Sequence, residues 1–230
     1  MSTPPPRARN ADAAGPRRDW AAPLVLGINQ LVNSIARHWL LLANVTVGVI
    51  YNGLPIAAPV LMRAGHTRLA NLLYRGYSLL CHQLPERSFF LFGPQVAYSL
   101  DELGHLLDGS VPLRYVGDPS IGYKVAVCQR DIATYLTWLI MGVVFAFTRR
   151  HWRPISIRAF IALCVPMALD GIGQLVGLWQ STVWSRVTTG ALFGAALVLL
   201  AYPYIEQGMS DVRRVTETPP GRDGSQAGLP

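Results

Sequence analysis

Four stretches of this sequence are each long and apolar enough to cross a lipid bilayer. No other feature constrains the fold as strongly. A spanning helix needs about 20 mostly apolar residues. Residues 39–62, 131–148, 157–179 and 186–205 meet that requirement; only Asn44, Asn52, Pro55 and Pro59 interrupt the first, and past Arg158 at its start Asp170 is the one charge inside the third. Prolines 55, 59 and 166 predict local kinks, which a helix bundle tolerates in lipid. Residues 69–80 are apolar but short and carry Arg75, so they read as an amphipathic or re-entrant helix. Residues 24–38 end in Arg37-His38 and fit an interfacial helix leading into the first span. The expected fold is therefore all-α, an integral membrane bundle of about four transmembrane helices plus one amphipathic or re-entrant helix. Composition agrees: 51% of the 230 residues are hydrophobic and 14% charged, against about 25% charged in ordinary soluble domains. That balance excludes a typical soluble enzyme as well as disordered and collagen-like chains.

The membrane domain is expected over 24–206, flanked by disordered tails at 1–23 and 207–230. The first tail holds Pro4-Pro5-Pro6 and four arginines with almost no large apolar side chain, too little to bury a core. No compact apolar stretch near the start ends in a small-residue cleavage site, so a cleaved signal peptide is not expected. Residues 93–127 read as a long polar connection with Gly and Pro turns.

The net charge of +7 reports orientation. With both termini in the cytoplasm, the inner segments hold Arg7, Arg9, Arg17, Arg18, Arg37, Arg149, Arg150, Arg153, Arg158, Arg213, Arg214 and Arg222. The outer ones hold Arg63, Arg68, Arg75, Arg87, Arg114, Lys124, Arg130 and Arg186. Basic residues concentrate on the cytoplasmic side of a membrane protein, so an inner-membrane protein with cytoplasmic termini is expected. Nucleic-acid binding is not, because the basic tails lack interleaved aromatics. Phosphate-loop, H-E-x-x-H and G-x-S-x-G motifs are absent from the sequence. The expected partners are the bilayer itself and a membrane protein partner or a second copy of the chain.

In this topology the unusual polar residues gather at the outer leaflet. Cys81-His82-Gln83 follow the short helix. Cys128, Arg130 and Asp131 open the second span. Asp170 and Gln174 share one face of the third at i and i+4, with Asp170 about 13 Å from Trp179 at 1.5 Å per residue. Arg186 opens the fourth. Ionisable groups inside spans are costly and mark pairs or functional cavities.

The string Cys81-His82-Gln83-Leu84-Pro85-Glu86-Arg87-Ser88-Phe89, then Cys128-Gln129-Arg130-Asp131 with Tyr135 one turn on, then Asp170-Gly171-Ile172-Gly173-Gln174, resembles the prokaryotic membrane-protein family classified as domain of unknown function 2085. The resemblance covers roughly residues 70 to 200. It implies a polytopic membrane protein with these residues, including Gln83, Pro85, Arg87, Ser88, Tyr135, Gly171 and Gln174, as its signature, and it implies no activity. Members often carry a second cysteine where this chain has Asp131, which exchanges a soft sulfur ligand for a hard oxygen one.

Several readings of these residues stand side by side. Cys81, His82, Cys128 and Asp131 offer two sulfurs, a nitrogen and an oxygen, a set that suits zinc or iron; Cys128 and Asp131 at i and i+3 share one side of a helix. A Cys81–Cys128 disulfide would instead pin the short helix to the second span in a non-catalytic component that binds a partner. Thiol redox chemistry ranks lower without a C-x-x-C, and Cys164 reads as an inert buried thiol. Asp170 serves either as a general base or as an ion-pair partner of Arg130 or Arg186, and in an enzyme those arginines would stabilise an anion. Arg87 and Ser88 fit an interfacial anchor before Phe89-Phe90-Leu91-Phe92, while Arg87 with Arg130 fits recognition of a phosphorylated or lipid substrate. Gly173-x-x-x-Gly177 and Gly190-x-x-x-Gly194 read as helix-packing seams. A transporter with Asp170 as its coupling carboxylate lacks the internal repeat such proteins use.

Overall fold

The computed structural model describes residues 22–217; the first tail, with Arg7, Arg9, Arg17 and Arg18, and the last residues, with Arg222, lie outside it. Among the described residues four helices are long and apolar enough to cross a membrane. The first comprises α1 (Ala22–Thr46), a π-helical stretch Val47–Gly53 and α2 (Leu54–Arg63). Next come α3 (Thr67–Tyr77), β1 (Ser88–Leu91), α4 (Leu100–Leu106), β2 (Gly117–Asp118) and β3 (Gly122–Cys128). The remaining spans are α5 (Gln129–Thr148), α6 (Ile157–Leu175) and α7 (Val183–Glu217). The all-α multi-pass expectation matches this bundle.

The π-helical stretch has an identifiable cause. Pro55 has no N–H, so in an i→i+5 ladder the carbonyl of Ile50 loses its donor. The Tyr77 hydroxyl donates to that carbonyl, and the Asn52 side-chain amide donates to Val47 O at 3.0 Å. The distortion thus docks α3 against the first span, where Ala58, Ala70, Tyr74, Tyr77 and Val125–Val127 form one core. Residues 24–38 continue into the span as a single helix rather than as a separate interfacial element.

The α5–α7 contact is the closest helix pair. A Cβ on Gly190 would press on Arg130 O, and one on Gly194 on Thr134 O. Small residues let two backbones approach in this way. Thr134 Oγ1 donates to Gly190 O at 3.1 Å across the seam. The other glycine pair does different work. Leu178 N donates to Gly173 O at 2.9 Å and Gly177 N to Gln174 O at 3.3 Å, with Gly177 at φ +76°; this is a Schellman cap that ends α6 at Leu175. The chain then folds back so that Trp179 covers Gly173. Asp170 accordingly lies about 8 Å from the helix end at 1.5 Å per residue, shallower than the expected 13 Å.

At one end of the bundle Trp39, Phe145 and Tyr202 pack edge to face, with centroids 5.2 to 6.3 Å apart. Glu206 there accepts from Trp39 Nε1 at 2.7 Å and from Arg213 at 3.1 Å. Arg213 also donates to Ala36 O at 2.8 Å, and Arg37 pairs with Glu217 at 2.9 Å. These contacts carry α7 as a helix to Glu217, past the boundary expected at 206, and place both described chain ends at the same end of the bundle. Elsewhere the spans expose large apolar side chains such as Leu41, Val45, Ile140, Phe147, Ile161 and Leu169, as lipid-facing helices do.

The polar connection proves to be folded. It forms a three-stranded antiparallel sheet in the order β1-β3-β2 with Ser88 opposite Cys128 and Phe90 opposite Lys124. Gly117 and Gly122 take φ of +114° and +87°, which glycine adopts without strain. Between them Asp118 accepts from Ser120 N at 2.7 Å and from the Tyr115 hydroxyl. Burial opposes its charge, but the hydrogen bonds from Ser120 and Tyr115 prevail and hold its carboxyl down at about 2.

Candidate metal centre and its arginine neighbours

The sheet delivers two cysteines to one point at the end of the bundle opposite the described chain ends. Cys81 follows α3 in a turn where its N–H reaches Tyr77 O at 2.9 Å. The next residues form a hook. Gln83 is buried at φ +54°; its side-chain amide donates to Tyr74 O at 2.8 Å, and its carbonyl accepts from Lys124 Nζ. Pro85 opens a 3-10 turn, and Ser88 Oγ closes it by donating to Leu84 O at 3.0 Å. The signature string is thus a scaffold. Its inward residues, Gln83, Pro85 and Ser88, hold Cys81 against Cys128, the last residue of β3 and the N-cap of α5.

Cys81 Sγ, Cys128 Sγ and an Asp131 carboxylate oxygen all lie within 4.8 Å of one another, each residue half-buried. Both thiols are free, so the alternative disulfide is not formed here; the sulfurs face each other as hydrogen-bond partners instead. That contact holds Cys81 below the ordinary thiol range, while Cys128 is pushed up by the same partner, by burial and by Asp131. Two sulfurs and a carboxylate make a three-ligand set with a fourth position open, the donor chemistry of zinc or ferrous iron. His82 does not join it. Gln83 takes the inward place to bond the end of α3, and His82 is exposed, outside the cluster. Tyr135 stacks on Tyr51 at 4.6 Å.

Two residues that motif reasoning passes over complete the surroundings. Lys124 is 0% exposed, and burial lowers its ammonium to about 8 against the opposing pull of Cys81 and Glu86. Its place in an otherwise apolar Val-Ala-Val strand is the only signal that would have found it. Gln129 is also fully buried; it donates to Ser88 O at 3.1 Å and accepts from Arg186 at 3.1 Å.

The remaining expected residues meet beside the centre. Asp170 pairs with Arg130, not with Arg186, and Gly171 leaves room for the Arg130 guanidinium, which would lie 3.3 Å from a Cβ there. With the Gln174 amide assigned in the orientation that satisfies both of its atoms, its oxygen accepts from Arg87 at 3.2 Å and Arg186 at 3.3 Å, while its nitrogen donates to Ser181 Oγ at 3.1 Å. Arg186 also donates to Glu86 O at 3.2 Å. Arg87, Arg130, Asp170, Gly171 and Gln174, from the three segments of the signature, therefore share one polar end with Arg186.

Comparison with known proteins agrees with this description. A family model described as "Predicted membrane protein (DUF2085)" matches residues 120–200, which hold Cys128, Asp131, Asp170 and Arg186; Cys81 lies upstream of the matched segment. An uncharacterised protein of the archaeon Methanocaldococcus jannaschii is 32% identical over 134 residues, covering 57% of this chain and 67% of the relative. No solved structure matches. The chain belongs to the DUF2085 family of prokaryotic multi-pass membrane proteins.

Proposed function

We propose that the protein resides in the inner membrane with both termini cytoplasmic and holds zinc or iron through Cys81, Cys128 and Asp131 at the outer leaflet, where it acts on a membrane-borne substrate. The observation that carries this reading is the meeting of two free thiols and a carboxylate within 4.8 Å at a strand-to-helix junction. The basic loop from Arg149 to Arg153 and the shared end of α1 and α7 support the orientation. A metal bound there supplies Lewis acidity at a fourth coordination position. The chain's own residues do the rest. The Gln83–Ser88 hook fixes Cys81. Arg130 holds Asp170 in an ion pair, which fixes the position of the Arg130 guanidinium beside the centre.

Metal analysis of the full chain purified in detergent tests the proposal. A stoichiometric content of zinc or iron is expected, lost in Cys128→Ser and Cys81→Ser and retained in His82→Ala. Metal-free protein with Cys81 and Cys128 oxidised to each other overturns it.

A further inference from the structure

We propose that Arg87, Arg130 and Arg186 form a binding site for a phosphate-type oxyanion beside the metal centre, entered through the cavity at the start of α7. The inference deepens the reading above by naming a ligand class, and rests on it only for the location at the outer face.

Two guanidinium groups, of Arg87 and Arg186, meet on the Gln174 amide, and a third, of Arg130, pairs with Asp170 one turn earlier on the same helix. Two have a carboxylate: Arg130 pairs with Asp170, and Arg87 faces Glu86 at 3.5 Å. Arg186 has none among the described residues. It is 6% exposed, and its bonds go to the neutral oxygens of Glu86 O, Gln129 and Gln174. Burying an uncompensated guanidinium is costly, and a charge kept in such a place implies something that neutralises it. The donor inventory points the same way. The Nε atoms of Arg130 and Arg186 are buried without a hydrogen-bond partner, while that of Arg87 has only the Glu86 carboxylate at 3.5 Å. Buried donors are otherwise almost always satisfied, and the orphaned Nε of Arg186, which has no carboxylate, leaves a deficit that an oxyanion with several acceptor oxygens would fill.

Access is provided. A cavity of about 310 Å³ is lined by Arg186, Ser181, Thr182, Glu86, Tyr98 and Ser99, so Arg186 is the arginine that opens onto it, with Arg87 and Arg130 behind it. Thr182 caps α7, its Oγ1 accepting from Ser185 N at 3.2 Å, so the positive end of that helix faces the same space and favours an anion. Glu102, which also lines the cavity, is committed to Ser99 N at 2.6 Å. Glu86 at the wall disfavours anions in general, so binding depends on the arginine forks rather than on bulk charge.

The chemistry fits inorganic phosphate and the phosphomonoester of a lipid headgroup alike. Calorimetric titration of the full chain in detergent with inorganic phosphate forms one arm; titration with micelles doped with phosphatidic acid, against phosphatidylcholine, forms the other. Saturable binding in either arm, at least tenfold weaker in Arg186→Gln, is expected, and the arm that responds identifies the source. Arg87→Gln, at the more exposed rim, serves as a second variant with several-fold weakening should Arg186→Gln misfold. Cys128→Ser should lose metal yet keep phosphate binding, which separates this site from the metal reading. Absence of binding in both arms, or equal affinity in wild type and both arginine variants, overturns the proposal.

Discussion

Lys124 carries a pH signature. Its side chain is fully enclosed, with Nζ on Gln83 O and the Tyr74 hydroxyl on its own carbonyl at 2.5 Å. Burial lowers its folded-state ionisation to about 8 from 10.5. Below about 8 both folded and unfolded chains carry the proton, and the folded state bears the full cost of the buried charge. Between about 8 and 10.5 the unfolded chain binds more protons, so stability rises with pH. The thermal midpoint of the detergent-solubilised full chain should rise by several degrees relative to Lys124→Met on going from pH 7.5 to 9.5; parallel slopes for the two would refute the assignment. Chemical type and spacing made Cys81, Cys128 and Asp131 legible in the sequence. Lys124 was not, because a single lysine in a polar-looking connection carries no periodic signal. His82 was misplaced for a related reason: adjacency to Cys81 says nothing of which of two neighbouring side chains turns inward, and the left-handed turn at Gln83 decided it.

Among the elements, the α5–α7 seam sets the geometry of the polar end, because it fixes Arg130 on one helix relative to Arg186 on the other. Gly190 and Gly194 meet backbone rather than flexible side chains, so the cost of filling them cannot be relieved by a rotamer change. Gly190→Val or Gly194→Val should destabilise by about 1–3 kcal/mol. Gly208→Ala, where nothing lies within 4 Å, should be neutral or slightly stabilising through helix propensity. Thermal midpoints of the three variants in one detergent check this, and a tolerated Gly194→Val would argue against the seam. The four spans were readable from hydropathy because length and apolarity suffice to define them. The small sheet was not. Strand β3 is buried at most of its positions on both faces, so the alternation that marks a half-exposed strand is missing, and its partners are only two and four residues long. The extension of α7 beyond residue 206 was equally hidden, since contacts with Ala36 and Arg37, distant in sequence, sustain that polar helix.

For the whole molecule, the bundle separates two chemistries. One end gathers Arg37, Arg149, Glu206, Arg213 and Glu217 with the described chain ends; the other gathers the thiols, Asp131 and the arginines around Gln174. In a Cys164→Ala background, a membrane-impermeant thiol reagent should label the reduced, metal-stripped protein from the outer side of intact cells, through Cys81. Labelling only after the cytoplasmic side is opened would reverse the orientation. The central claim is that the two cysteines and Asp131 act together as ligands, and X-ray absorption at the metal edge of the purified full chain tests it most directly. The account predicts two sulfur scatterers at about 2.3 Å and a lighter oxygen shell at about 2.0–2.2 Å, the sulfur count falling in Cys128→Ser. A shell of oxygen and nitrogen alone, unchanged by that substitution, would contradict it.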